Sequence, residues 1–280
     1  MSDYGTDDSV VPPPADLIDP LSTAVRQVGA LLREWRADPA ATDGGWQGQQ
    51  FKAHADGMAH EALTLRLHAI TPGLPVISEE DPESLYGPRP AGYWLIDPID
   101  GTASYAHGFA GYVTQAALIV DDTAVVAAIY APEFDIVYAA MHRGGATANG
   151  VALPAVAAPL EGGIVTDNTP EPRGIARAVR DYLGYTGYLE CGSIALKLCR
   201  IAEGAAHLFV KDVTVRDWDV AAPGLILAEV GGWLRRLDGT RFSYRGDFAH
   251  TGLIAAADAA TCAAVAAWYS GGEPAASPAR

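Results

Sequence analysis

Between Pro75 and His142 the sequence sets one apolar run after another, PVISEED, GYWLIDPID, YVTQAALIV, AVVAAIYAP and IVYAAMH, with gaps too short for crossover helices. Such close spacing requires a mixed or antiparallel sheet rather than a strict alternation of strand and helix. One of these runs raises a problem. Tyr93-Trp94-Leu95-Ile96 reads as a buried strand, yet it drives straight into Asp97 and Asp100, and carboxylates at the mouth of a buried strand are costly unless something positive meets them.

Elements with helical periodicity flank the sheet. PLSTAVRQVGALLREWRAD follows this pattern and begins at a proline; a second helix covers Ala55 to Ile70 and is stopped by Thr71-Pro72-Gly73. After Gly150 the texture changes. GGIVTDN is strand-like, PRGIARAVRDYLGY and SIALKLCRIAEG are helical, HLFVKD is extended, and WDVAAPGLILAEVGG is helical with a double-glycine end. GWLRRLDG, TGLIAAA and DAATCAAVAAWYS then read as strand, strand and helix. The expected organisation is a disordered tail over 1–15, an N-terminal α+β subdomain over 16–152, a C-terminal α/β subdomain over 153–270 and a flexible tail over 271–280, with a soft boundary near Val151–Leu160.

Composition narrows the function classes. At 280 residues and 49% hydrophobic, the chain can bury a sizeable core. Its net charge of −15, with no basic cluster beyond Arg235-Arg236, excludes a direct grip on a nucleic-acid polymer. An anionic substrate would also be repelled unless bound cations reverse the sign locally. Cys191, Cys199 and Cys262 are an odd set with no CxxC spacing, which fits reduced thiols in a core. The acidic, proline-rich start lacks a leader pattern, and no apolar stretch reaches the ~18 residues of a membrane span. The expectation is a soluble, cytoplasmic protein with no membrane partner.

Three acidic groups sit where core elements end: Glu79-Glu80-Asp81 after PVIS, Asp97 with Asp100, and Asp217 with Asp219 at the start of a helix. Strands ending side by side would gather them into an oxygen-rich pocket suited to a hard divalent cation, magnesium above all, rather than to zinc. Within DPIDGT, Pro98 fixes the exit direction of the chain and Gly101 permits a tight turn. Asp97 and Asp100 can then face one ion or two neighbouring ones. Two capping aspartates and a plain turn are the bland alternative for the hexapeptide alone.

WLIDPIDGTASYAHGF resembles the signature of the inositol monophosphatase superfamily of magnesium-dependent, lithium-sensitive phosphatases. ISEED, GATANG, GSIALKLCRIAEGAA and DWDVAAPGLILAEVGG resemble further elements of that family, in the family's order. The resemblance implies a layered α-β-α-β-α sandwich of the inositol monophosphatase and fructose-1,6-bisphosphatase type, and two or three Mg²⁺ ions for which Mn²⁺ can substitute. It also implies a small phosphorylated metabolite as partner and a homodimer. By the same resemblance Glu79 is shared between metal and water, Asp97, the Ile99 carbonyl, Asp100 and Asp219 are metal ligands, and Asp56 with Thr102 orients and deprotonates the attacking water. Gly101 and Thr102 amides would hold phosphate oxygens at a helix start, joined by Asp100, Ile194 and Asp212 on the substrate side.

Departures from the pattern bear on substrate choice. The lysine-bearing loop that often precedes the Asp56 position is replaced by GGWQGQQFKAHAD, with Lys52 its nearby cation, and Asp212 stands where inositol-binding members use a glutamate. Inositol phosphates, sugar phosphates, nucleotide phosphates such as 3′-phosphoadenosine 5′-phosphate, and histidinol phosphate are all candidate substrates. A catalytically weak, ligand-binding regulator is the alternative from a different class. Among the remaining residues, His54, His60 and His68 lack chelating spacing, His107 is a candidate phosphate contact, Lys197 is expected to snorkel to solvent, and Arg216 with Asp217 to form a local surface pair.

Overall fold

The computed structural model describes residues 11–47 and 50–271. The chain opens with α1 (Pro14–Trp35) and α2 (Pro39–Thr42), then a hairpin of β1 (Gly44–Gln47) and β2 (Gln50–Ala53), then α3 (His54–Ile70). A seven-stranded sheet follows in sequential order: β3 (Val76–Ser78), β4 (Gly92–Asp100), β5 (Val113–Val120), β6 (Thr123–Ala131), β7 (Ile136–Met141), β8 (Gly145–Ala148) and β9 (Val151–Ala152). Only the β3–β4 pair is parallel; the rest is an antiparallel meander. Asn149 and Gly150, at φ 48° and 77°, make the two-residue turn between β8 and β9, a conformation these residue types tolerate best.

The second sheet holds β10 (Ile164–Asp167), β11 (Gly187–Glu190), β12 (Leu208–Arg216), β13 (Trp233–Arg235) and β14 (Ala249–Ala256) in the order β11-β10-β12-β14-β13. The remaining helices are α4 (Thr102–Ala106), α5 (Gly174–Leu183), α6 (Ile194–Ala202), α7 (Asp217–Glu229) and α8 (Ala259–Tyr269).

Alternation along β4 explains the layering. Trp94 and Ile96 pack into one core with Leu21, Val25 and Leu32 of α1 and Leu63 and Leu67 of α3. Tyr93 and Leu95 face the opposite core, shared with Leu196 and Leu198 of α6, Leu225 and Leu227 of α7, and Phe209 and Leu253 of the second sheet. A third core joins Val210 and Ile254 to Val179 of α5 and Val265 of α8. The result is α1/α3, sheet, α6/α7, sheet, α5/α8: the expected α-β-α-β-α sandwich. Strands covered on both faces read as unbroken apolar runs, and α7, sandwiched between sheets, is apolar all round.

Some boundaries differ from the sequence reading. The first helix begins at Pro14, not after a tail ending at Ala15, and carries Pro20 inside it. Either proline suits a helical first turn, and burial of Leu17 at 2% exposure extends the helix to the earlier one. The parts of the expected tails at 1–10 and 272–280 lie outside the described residues. HLFVKD is the start of a longer strand, β12, whose register shifts between Lys211 and Thr214. Among the described residues no helix is long and apolar enough to cross a membrane.

Candidate active site

The register of β3 against β4 builds the site. Ser78 pairs with Ile96 in parallel, so Glu79, where β3 ends, comes level with Asp97 on β4. On its other side β4 pairs Asp97 with Gln115 and Asp100 with Val113, so Pro98 and Ile99 together oppose Thr114. This bulge sits at the residue that lacks an amide donor, and it adds the half-step that brings both aspartates to the same region. Gly101 then turns the chain into α4 at φ 89°, where a side chain would be strained.

Two helix starts complete the acidic ring by the same device. Asp56, in the first turn of α3, accepts a hydrogen bond from the Ala53 amide at 2.7 Å, and Asp219, in the first turn of α7, accepts one from the Arg216 amide at 2.7 Å. Both sit where the helix dipole favours negative charge. Asp100 accepts from the Ala195 amide at 2.7 Å and the Ile194 amide at 3.4 Å, at the start of α6. The start of α6 is seated by a close backbone approach: the Ser193 amide donates to the Gly111 carbonyl at 2.6 Å, and a Cβ on Gly192 would lie 2.1 Å from that same oxygen.

These carboxylates feel one another. Burial raises Asp97 well above the carboxylate range, and the charges of Glu79, Asp100 and Asp219 push it further. Asp219 is raised by burial, then by Asp100 and Glu79. Asp100 is pushed up to about 6, chiefly by burial and against the pull of its amide donors. Asp56 is pushed up to about 7 by burial, opposed by its hydrogen bond from Ala53. The Thr102 hydroxyl has Asp56 Oδ1 at 3.0 Å and the Ile99 carbonyl at 3.1 Å as acceptors.

Among the described residues three cations bear on this cluster: the charge of Lys197 favours the Asp100 carboxylate, that of Arg216 favours Asp219, and Lys52 makes direct contact. Lys52 on β2 donates to Glu79 Oε1 at 2.6 Å and also to Glu80. Burial works against its charge, but the two glutamates more than offset that and hold it above the ordinary lysine value. Among the described residues no three His, Cys, Asp or Glu side chains already close around a common ion. The physical reason is visible: Glu79 is turned to Lys52, while Asp56, Asp100 and Asp219 are each tied to backbone amides. The donor set nevertheless fits a hard divalent cation, being all oxygen, buried and under-neutralised.

Beside Glu79 and Lys52 opens a cavity of about 730 Å³, walled by Trp218 and Phe248 and bordered by Arg89 and Arg216. Asp212 is not part of it; it lies exposed in the irregular stretch of β12. The Ile194 amide is directed at Asp100. Helix α4 spans only Thr102–Ala106, so any anion hold there rests on the Gly101 and Thr102 amides more than on a macrodipole. His107 Nδ1 stands 2.8 Å from the Ala103 carbonyl, a local end-of-helix contact.

Two expectations are corrected. Lys197 does not snorkel: it is 2% exposed, donates to the Gly192 carbonyl at 2.6 Å and lies over the Phe209 ring. Burial lowers it to about 8. Asp217 forms no surface pair with Arg216. It is fully buried, 2.5 Å from Arg89 and 2.5 Å from His250 Nε2. Sequence reasoning missed Arg89 because nothing local in GPRPAG signals a partner so distant in the chain. Removing one member of such a buried pair leaves the other charge stranded. Asp217→Ala is therefore expected to lower unfolding free energy by about 3–5 kcal/mol, read from urea denaturation of parent and variant.

The family model described as inositol monophosphatase family matches residues 15–270. The 3'(2'),5'-bisphosphate nucleotidase CysQ of Escherichia coli (strain K12) is 30% identical over 201 residues, covering 68% of this chain and 78% of that protein. Inositol monophosphatase 2 of Solanum lycopersicum is 31% identical over 157 residues, covering 53% of this chain and 59% of its own length. The crystal structure of extragenic suppressor protein suhB from Bartonella henselae aligns with a TM-score of 0.76 at 22% identity, covering 91% of this chain and 98% of that one. With the layered sandwich, the bulged aspartate strand and a family match running nearly end to end, this chain belongs to the inositol monophosphatase family.

Proposed function

We propose that the protein is a magnesium-dependent phosphomonoesterase acting on a small phosphorylated metabolite. The observation that carries this reading is the convergence of strand-end and helix-start carboxylates, Glu79 beside Asp97 at the ends of paired strands, Asp100 across the bulge and Asp219 at the start of α7, with Lys52 bound to Glu79. Glu79, Asp97, the Ile99 carbonyl, Asp100 and Asp219 would hold the ions. When bound, Mg²⁺ supplies charge neutralisation for the phosphoryl group and lowers the pKa of a water molecule. Phosphomonoester hydrolysis needs up to ~10²¹-fold acceleration, so such neutralisation is a large part of what any catalyst must provide.

The chain's own residues supply proton handling and orientation. Asp56, buried and with a carboxyl near neutrality at about 7, accepts from Thr102, whose hydroxyl would align the attacking water and pass its proton to Asp56. Gly101 and Thr102 amides would orient the phosphoryl oxygens at the start of α4. Lys52 would yield Glu79 as the site fills, leaving the ammonium beside the incoming anion.

Relatives named as bisphosphate nucleotidase and as inositol monophosphatase frame the substrate choice. A cavity of about 730 Å³ bordered by arginines favours a nucleotide-sized, multiply charged substrate over a single bare phosphate. A phosphate-release screen across nucleotide, sugar and inositol phosphates, with and without Mg²⁺, tests the proposal. Release from at least one compound class only with the metal supports it, and no metal-dependent release from any sinks it. Asp56→Asn is expected to reduce kcat by about 10²–10⁴-fold with KM changed far less, measured as initial rates on the best substrate of that screen.

A further inference from the structure

Among the cations bordering the cavity, all but one are spoken for. Lys52 is bound to Glu79 and Glu80. Arg89 is paired with Asp217 at 2.5 Å, donates to the Tyr93 hydroxyl at 3.1 Å and the Gly246 carbonyl at 2.8 Å, and lies 3.8 Å over the Phe248 ring. It is structural. The Arg216 side chain, by contrast, has no hydrogen-bond or ion-pair partner among the described residues, although its backbone amide is fixed by Asp219 at the start of α7.

A guanidinium that makes no side-chain hydrogen bond among the described residues, held half-buried at a helix start and acting through its charge on Asp219, keeps its donors free for an anion. Its planar fork of donors matches a phosphate, which it can take with paired, charge-assisted hydrogen bonds. The cavity it borders also contains Glu79, so an anion on Arg216 and a phosphoryl group at the acidic cluster would belong to one molecule. The other charge on the rim, Asp247, is exposed to solvent and is therefore well screened.

We infer that Arg216 is the specificity-determining residue that binds a second, non-scissile phosphate of the substrate, making the enzyme selective for bisphosphorylated over monophosphorylated compounds. This rests on the phosphatase reading above and adds to it the residue that reads the substrate. Two sources share the chemistry, a nucleoside bisphosphate and a hexose bisphosphate. Trp218 and Phe248 line the cavity with rings 5.7 Å apart and tilted by 36°, Trp218 nearly buried and Phe248 carrying Arg89 over one face, an apolar lining that does not choose between the two.

Initial rates on a nucleoside 3′,5′-bisphosphate, the matching nucleoside 3′-monophosphate and a hexose bisphosphate, with Mg²⁺, for parent, Arg216→Gln and Arg216→Lys, test the inference. In Arg216→Gln the KM for the preferred bisphosphate is expected to rise about 10- to 100-fold while its kcat stays within about threefold. The ratio of bisphosphate to monophosphate kcat/KM falls by the same factor, and Arg216→Lys recovers part of it. Whichever bisphosphate carries the effect identifies the source. An unchanged ratio, an equal loss of kcat on all substrates, or a parent that prefers the monophosphate overturns the inference and leaves the phosphatase reading standing. No Mg²⁺-dependent release from any of the three by the parent, together with a blank screen, removes both.

Discussion

Asp97→Asn is expected to reduce metal-dependent phosphate release by about 10³-fold or more while leaving the metal-free protein as stable as its parent or more so. Asp97 is 2% exposed and its carboxylate is disfavoured by burial and by three neighbouring acids. Asparagine keeps the shape and retains an oxygen to accept the Ile99 amide, now at 3.1 Å, but removes the charge that would bind a cation. A residue important to the fold would behave in the opposite way, with stability and activity falling together. Thermal unfolding in chelator, beside initial rates over a range of Mg²⁺ concentrations, separates the two. Retained activity at ordinary Mg²⁺, or a Tm well below that of the parent, would refute the assignment.

The second large effect is on stability and joins metal to pH. Asp56, Asp97, Asp100 and Asp219 all have folded-state pKa values raised above the unfolded range, Asp100 to about 6 and Asp56 to about 7. The folded, metal-free protein therefore binds more protons than the unfolded chain from pH ~4 upward, so these groups make it less stable as pH rises through the window that Asp100 and Asp56 set, about 4 to 7. In the proposed site, divalent cations would compete with the protons for the same oxygens. At free Mg²⁺ a hundredfold above its dissociation constant the gain is about 2.7 kcal/mol, or about 5–10 °C in Tm for a chain of this size. The increment from Mg²⁺ is expected to be larger at pH 8 than at pH 6 and to shrink towards zero by pH 5. Scanning calorimetry with Mg²⁺ or chelator at several pH values measures it, and an increment independent of pH would place the metal elsewhere.

Much of this was legible in the sequence because the information is local. DPIDGT carries its own geometry: Pro98 ends donation to the ladder, Gly101 permits the turn, and the acids fall where the bulge directs them. The apolar runs announced strands buried on both faces, and their short gaps announced the meander. The family signature supplied the layer order that spacing alone left open. What stayed hidden depends on which distant segments meet. Lys197 reads as an amphipathic lysine only if its helix has a solvent face; α6 lies between two sheets, so its stem has nowhere to emerge and its ammonium turns to Gly192 instead. Asp217 neighbours Arg216 in sequence, yet its partner is Arg89, delivered by a loop from the other sheet. Lys52 was visible as a nearby cation, but its hold on Glu79 depends on how the β1–β2 hairpin folds over the strand ends.

Manganese scatters anomalously and competes for oxygen-rich magnesium sites, so anomalous diffraction from crystals soaked in Mn²⁺ and phosphate tests whether these carboxylates share divalent ions. Peaks bounded by Glu79, Asp97 and Asp219 are expected, with Glu79 released from Lys52 and phosphate at the Gly101 and Thr102 amides. Manganese bound only at surface carboxylates, with Glu79 still on Lys52, would contradict it.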